Sequence, residues 1–386
     1  MSFIPYSCQN ITDADIDAVV GVLRSEYLTQ GPAVAEFEQQ FAQRHQVAHA
    51  VSVCNATAGL HIACLALGVG PGDIVWTSPN SFLASANCAL YCGACIDFVD
   101  IDPTTRNLSV QALADKLATA DKAKRLPKVL IPVDFAGLPC DLLEMRALAD
   151  RYGFSILEDA SHATGADYLG MPTGSRFADV TVFSFHAVKI VTTAEGGMVT
   201  TQDDQLAGRL RALRSHGMTR EPAELQRTPD GPWYYEQQCL GFNYRLTDLQ
   251  AALGAAQLNR LEAMHAQRIV LADRYDKLLA GLPVKVPARQ PDRVSAWHLY
   301  AIELDSTRTP AARATVFQTL RDAGIGVNVH YIPIHTQPHY TRLGFKRGDF
   351  PAAEHYYDHA ISLPLFPALT ETQMTHVVTA LSGALV

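Results

Sequence analysis

Between Cys95 and Leu157 the chain alternates strand-like apolar runs, Ile96–Val99 and Val129–Val133, with helical stretches, Val110–Ala120 and Leu142–Tyr152. Strands separated by crossover helices pair in parallel, so this alternation calls for a mostly parallel sheet with helices on its faces. Strand-like runs at Val180–Ser184 and Met198–Thr201 extend the sheet, and a helix over Leu206–Leu213 follows them. Upstream, the strand-like run Ala50–Cys54 leads through Asn55-Ala56-Thr57-Ala58-Gly59 into a helix bearing Leu60, Cys64 and Leu67. Small residues at such a turn leave the first helical N–H groups free, and with the helix dipole they make an anion site. The turn Gly68–Gly72 lacks the GxGxxG spacing that opens a dinucleotide-binding helix.

Ligands of open α/β sheets bind beyond the carboxyl ends of the strands. The apolar run Phe154–Leu157 ends there in Glu158-Asp159-Ala160-Ser161-His162, and about thirty residues on, Lys189 lies among apolar and small residues before Glu195-Gly196-Gly197. Removing an ammonium from water favours the neutral amine, a nucleophile that forms a Schiff base with an aldehyde. A carboxylate followed by such a lysine is the arrangement that pyridoxal 5′-phosphate requires. Lys189 carries the cofactor, Asp159 keeps its pyridine nitrogen protonated, and Thr57 and Ala58 are assigned to its phosphate.

Asp159-x-x-His162, Ser184-Phe-His-x-x-Lys189, Glu195-Gly-Gly197, Gly241-Phe-Asn243-Tyr-Arg245 and His330-Tyr331-x-Pro333-x-His335 together resemble the sugar aminotransferases of the DegT/DnrJ/EryC1/StrS family. The resemblance runs over nearly the whole chain. It implies fold type I: an α/β large domain with a mostly parallel, mixed seven-stranded sheet, and a smaller C-terminal α+β domain. We expect the large domain over residues 1–250 and the small one over 251–386, entered by a long helix from Thr247 to about Ala280. Strands at Trp297–Leu304 and Ile325–Tyr331 and a helix at Ala311–Ala323 are expected in the small domain.

The resemblance further implies that Phe82 packs on the pyridine ring, at the start of a helix opened by Ser81. His162 bonds the ring's 3-oxygen, and Ser184 joins Thr57 and Ala58 at the phosphate. Asn243 reaches the phosphate of a partner subunit's cofactor, in a homodimer with shared active sites. Tyr6, Glu26, Tyr27, Leu28 and Thr29, with Ala58, Ser184, Asn243 and the segment Val329, His330, Tyr331 and Ile332, line the pocket for a sugar nucleotide. Within the family, Thr192–Glu195, Arg214–Gly217 and Pro232–Glu236 are most similar to transaminases of pseudaminic acid biosynthesis. These would move the amino group of L-glutamate to C4 of a UDP-4-keto-6-deoxy-N-acetylhexosamine. Other 4-keto nucleotide sugars are the alternative. A family-type dehydratase carries His in place of the anchoring lysine, and a cofactor-binding regulator would need an appended DNA-binding segment. Residue type does not single out a partner for the donor carboxylate; Arg245 is one candidate.

The remaining composition narrows the alternatives. A net charge of −8 and a pI near 5.9, with no long basic run, give no electrostatic case for nucleic acid or anionic lipid. The stretches His45–Gly72 and Ile74–Ile96 lack Asp, Glu, Lys and Arg, but Asn, Ser, Gly and Pro interrupt them too often for a membrane span. They read as buried βα units. The first ten residues lack the basic and apolar regions of a secretory signal, so a cytoplasmic protein is expected. Its eight cysteines are then reduced. Cys88-x3-Cys92-x2-Cys95 has no second ligand pair at zinc spacing, and His330, His335 and His339 are joined by no carboxylate or cysteine. No metal site is expected. The unperiodic stretch between Gly217 and Asn243, rich in Pro, Glu, Trp and Tyr, is of a length usually reserved for function.

Overall fold

A computed structural model describes residues 3–386; the first two positions of the expected large domain lie outside that range. Seven strands form the main sheet: β1 (His49–Val53), β2 (Ile74–Thr77), β3 (Cys95–Phe98), β4 (Val129–Ile131), β5 (Ser155–Asp159), β6 (Val180–Ser184) and β7 (Gly197–Thr201). Their order is β1-β7-β6-β5-β4-β2-β3. All neighbours are parallel except the pairs made by β7, which runs against both β6 and β1. The sheet is therefore mixed and mostly parallel.

The helices form where capping and apolar pattern agree. In α1 (Asp13–Leu23), Asp15 accepts the Thr12 N–H at 2.7 Å, and α2 (Pro32–His45) starts on a proline whose missing N–H costs nothing at that position. The charge-free stretch from His45 falls on β1 and α3 (Ala56–Ala66), and almost every α3 side chain beyond its first turn is buried. A Cβ on Gly59 would meet Val182, Val199 and Val53 at 3.0, 3.1 and 3.3 Å, so α3 rides directly on the sheet. On its other sides it packs against α4 (Ala84–Tyr91) and α7 (Asp204–Arg214). A helix enclosed this way needs apolar residues all round, which explains the missing charges. Among the described residues no helix is long and apolar enough to cross a membrane.

Helices α5 (Val110–Lys122) and α6 (Leu142–Tyr152) cover the opposite face. After a long irregular segment come α8 (Asp248–Leu258), packed on α1 and α2, and α9 (Leu261–Leu278). The single helix expected over 247–280 is thus two, parted at Asn259–Arg260. Arg260 leaves the helical register there and clasps Asn10 and Asp15 at 2.8 and 2.6 Å.

A second sheet joins β8 (Val284–Lys285), β9 (Tyr300–Leu304) and β10 (Ala360–Leu363), covered by α10 (Arg313–Asp322) and the helix Glu371–Ala384. Its strand starts at Tyr300 rather than Trp297, because Trp297 has a φ of 51°, in the left-handed region. Residues 325–331 make no strand beyond single bridges, Ile325 to Ile4 and Asn328 to Ser362. The N-terminal segment therefore reaches the C-terminal core, where Ile4 is 1% exposed. The helix expected from Ser81 begins three residues later at Ala84, since Ser81 and Ser85 bond each other through their hydroxyls at 2.7 Å.

Candidate active site

Four backbone positions meet at one edge of the sheet. Val53, Ser184 and Asp159 end β1, β6 and β5, and Gly197 opens the reversed strand β7 opposite both Val53 and Ser184. A Cβ on Gly197 would stand 2.9 Å from both Ala56 N and Phe183 O. Glycine there is what lets the α3 N-terminus close onto the edge. Above this edge lies a cavity of about 920 Å³.

Lys189 and Asp159 both line it. Lys189 borders the open space, while the protein packed round its amine lowers its pKa to about 7, with Asp159 pulling in the opposite direction. The Asp159 carboxylate is 4% exposed and firmly aimed. Oδ2 accepts the Ser85 hydroxyl at 2.6 Å, and Oδ1 accepts the hydroxyl and N–H of Ser161 at 2.6 and 3.2 Å. Oδ1 thus has both lone pairs engaged, and Oδ2 retains one for a further donor.

His162 has a fixed tautomer. Its Nδ1 accepts the Ala136 N–H at 3.3 Å, so Nε2 carries the proton and stands 3.1 Å from the Tyr331 hydroxyl. Burial, and next the Lys189 charge, holds its pKa well below the usual imidazole range, so the ring is neutral. Burial likewise lowers His330 to about 3.

At the opening of α3, Asn55 caps the helix by accepting the Ala58 N–H at 2.8 Å. Ala58 lines the cavity, and its amide is bonded to Asn55. The amides of Ala56 and Thr57, which have no intrahelical acceptor, are the ones left for an anion beside the Thr57 and Ser184 hydroxyls. These groups fit pyridoxal phosphate. A helix N-terminus with hydroxyls suits the phosphate, an aspartate fixed by serine donors suits a ring N–H, a fixed Nε2–H suits a phenolate oxygen, and a part-neutral amine suits an aldehyde.

Of the other expected residues, Tyr6, Phe82, Val329, His330 and Tyr331 line the same cavity. Phe82 is 58% exposed at its mouth, its ring centroid 6.4 Å from that of Tyr331. Glu26, Tyr27, Leu28, Thr29, Asn243 and Ile332 do not line it within one chain. Residues 26–29 form an exposed loop bridged to Thr247, Asn243 is exposed beside Ser215, and Ile332 is 47% exposed. Arg245 is also absent from the wall.

Sequence reasoning missed Ser85, Ser161, His298, Asn328 and His61. The last four line the cavity. His298 is buried 4.5 Å, ring to ring, from His162. Nothing in its local pattern marks it, because it arrives from far along the chain. Among the described residues no cluster of His, Cys, Asp or Glu could hold a metal ion.

Residues 9–382 match the DegT/DnrJ/EryC1/StrS aminotransferase family. The chain belongs to this family. As a DegT/DnrJ/EryC1/StrS aminotransferase it uses pyridoxal phosphate, the group the cavity fits. The spore coat polysaccharide biosynthesis protein SpsC of Bacillus subtilis is 39% identical over 98% of this chain and 96% of its own. The solved structure of the putative sugar aminotransferase Spr1654 from Streptococcus pneumoniae, in its PMP form, superposes with a TM-score of 0.90 at 31% identity, covering 99% of this chain and 98% of that one. Helicobacter pylori PseC, an aminotransferase of pseudaminic acid biosynthesis, gives 0.90 at 30% identity, over 100% and 99% of the two chains.

Proposed function

We propose that the protein is a sugar aminotransferase that moves the amino group of L-glutamate to C4 of UDP-2-acetamido-2,6-dideoxy-β-L-arabino-hexos-4-ulose. The observation that carries the aminotransferase reading is one cavity holding a lysine of pKa about 7, an anchored aspartate and an open helix N-terminus. The particular sugar rests on similarity, through the sequence wording noted above and the likeness to PseC.

Bound pyridoxal phosphate supplies an aldehyde for amines and a ring that accepts electrons. Lys189 Nζ, its pKa lowered to about 7 by burial, would hold that aldehyde and would serve as the base and acid that moves a proton at the donor's Cα. Asp159 would hold the ring N–H, His162 Nε2–H would bond the 3-oxygen, Thr57, Ser184 and the Ala56 and Thr57 amides would hold the phosphate, and Phe82 would lie over the ring at the mouth. Tyr6, Val329, His330 and Tyr331 face the sugar on this chain. Asn243, residues 26–29 and Ile332 serve a site shared across a homodimer, which explains their exposure on a single chain. The proposal includes a cytoplasmic enzyme with the division into residues 1–250 and 251–386.

A second reading draws on the higher identity to SpsC: a different 4-keto nucleotide sugar bound for a polysaccharide. The experiment compares the proposed L-sugar with its D-configured 4-keto epimer and with a UDP-4-keto pentose, using glutamate and scoring 2-oxoglutarate release. We expect the highest kcat/KM for the L-sugar. Preference for a competitor overturns the sugar and leaves the aminotransferase standing.

A further inference from the structure

Two carboxyl groups lie behind Asp159 that the reaction does not use. Asp134 follows the end of β4 and Glu158 precedes Asp159 on β5; both are 0% exposed. One oxygen of each is satisfied, Asp134 Oδ1 by the Cys140 N–H at 2.9 Å and Glu158 Oε2 by the Thr181 hydroxyl at 2.7 Å. The other two oxygens, Asp134 Oδ2 and Glu158 Oε1, have no donor, although the two carboxyl groups lie within hydrogen-bond reach of each other. Neither forms an ion pair among the described residues. The nearby ionisable groups add no positive charge: they are the Cys140 thiol, Asp159 itself, and Asp141, whose charge is taken by Arg293 at 2.7 Å.

Two buried carboxylates facing each other without a cation are prohibitively costly, and two acceptors can bond only through a proton. We propose that Asp134 and Glu158 share a proton and that this bond positions Asp159. The backbone supplies the link. Asp134 N–H donates to the Asp159 carbonyl at 3.1 Å, and Asp159 N–H donates to the Pro132 carbonyl at 2.9 Å. The side-chain pair closes the same junction one residue away, and the Thr181 hydroxyl extends it to β6, the strand that delivers Ser184 and leads to Lys189. Successive strand residues point to opposite faces, so the pair grips the strand ends from below while the Asp159 carboxylate projects above. Burial, the largest cause, raises Asp134 to about 7 and Glu158 well above the ordinary carboxylate range.

The sign of the pH dependence follows. The folded chain keeps a proton that the unfolded chain releases above the ordinary carboxylate pKa of about 4, so stability falls as pH rises from there through the pair's folded pKa. The test uses the holoenzyme, since pyridoxal phosphate contributes no carboxylic acid. Infrared spectra at pH 6 should contain a protonated carboxyl band that disappears in Asp134→Asn/Glu158→Gln. Its absence overturns the shared proton. Denaturant midpoints from pH 5 to 8 should show the wild type binding about one proton more on folding than the double amide variant, because the buried imidazoles and Lys189 contribute equally to both. An equal slope in both overturns it too. For positioning, the double amide variant, whose amides bond each other without a proton, should retain cofactor within about 2-fold of wild type. Glu158→Ala should release it at least 10-fold faster. Equal retention in Glu158→Ala and wild type overturns the positioning role. If Glu158→Ala does not fold, Glu158→Leu, apolar and similar in volume, replaces it, with the same two outcomes.

Discussion

Lys189 and Asp159 are prepared for their roles by different surroundings. Protein packed round the Lys189 amine disfavours its ammonium, whereas serine donors at 2.6 Å on each Asp159 oxygen fix the direction of its carboxyl group. With a folded pKa of about 7, the lysine is neutral in about a tenth of molecules at pH 6 and about nine tenths at pH 8. The rate at which the cofactor-free protein takes up pyridoxal phosphate should therefore rise about tenfold over that range and level off above pH 8. An exposed lysine would instead continue to rise tenfold per unit through pH 9. Stopped-flow absorbance decides between these shapes. Lys189→Ala should abolish transamination while leaving the circular dichroism spectrum unchanged, because a methyl group can neither anchor an aldehyde nor carry a proton. Asp159→Asn should bind cofactor and lose about 10²-fold or more in the single-turnover rate, since a neutral amide gives up the charge-assisted bond. An unchanged rate would remove Asp159 from this role. His162 was foreseeable as a residue, but its tautomer was not: it depends on the Ala136 amide, twenty-six positions away.

Strand β7 and helix α3 show how an element's fit depends on one atom. Gly197 lacks the Cβ that would stand 2.9 Å from Ala56 N, and both contacting groups at that distance are backbone, which cannot swing aside. Gly197→Ala should cost about 1–3 kcal/mol of stability and speed cofactor loss, by lifting the α3 N-terminus off the sheet edge. The control is Gly208→Ala on exposed α7, where a Cβ meets nothing within 4 Å. It should stabilise by up to about 1 kcal/mol without changing cofactor retention. Denaturant titration with cofactor-release rates separates the two. The elements themselves were largely legible: six of the seven sheet strands coincide with the apolar runs to within one or two residues, and β2 falls inside the charge-free stretch from Ile74. The errors fell where a side chain found a distant partner, as at Arg260, whose clasp of Asp15 divides α8 from α9.

For the molecule as a whole, the homodimer proposed above would cover the stretch that leads to Asn243, in which Trp233 and Leu240 are 68% and 81% exposed. If Asn243 serves the neighbour's cofactor, mixing Asn243→Ala with Lys189→Ala subunits places both lesions in one site of the mixed dimer and leaves the other intact. Activity should then recover to part of the wild-type level, with subunit exchange verified by differently tagged chains. Failure to recover it after proven exchange would count against a shared site. The stretch between Gly217 and Asn243 carries two-residue strands, Met218–Thr219 and Glu236–Gln237, and a three-residue 3-10 helix, Pro222–Glu224.

The sequence by itself determined the strand and helix alternation, the mixed sheet's main strands, and the lysine and aspartate placed at a strand end, because these depend on local periodicity and on where a βα unit leaves its side chains. It also determined that α3 is enclosed, through the absence of charge. Only the tertiary structure decided that Asn55 takes the Ala58 amide, that Ser85 and Ser161 aim Asp159, that His298 joins the wall, and that Asp134 faces Glu158 behind it. Each of those contacts that joins residues far apart in the chain leaves no local pattern, since it depends on how the strands are ordered in the sheet rather than on the spacing of neighbours. Whether a carboxyl is an anion or an acid follows from the partners it finds there, and no residue letter records them.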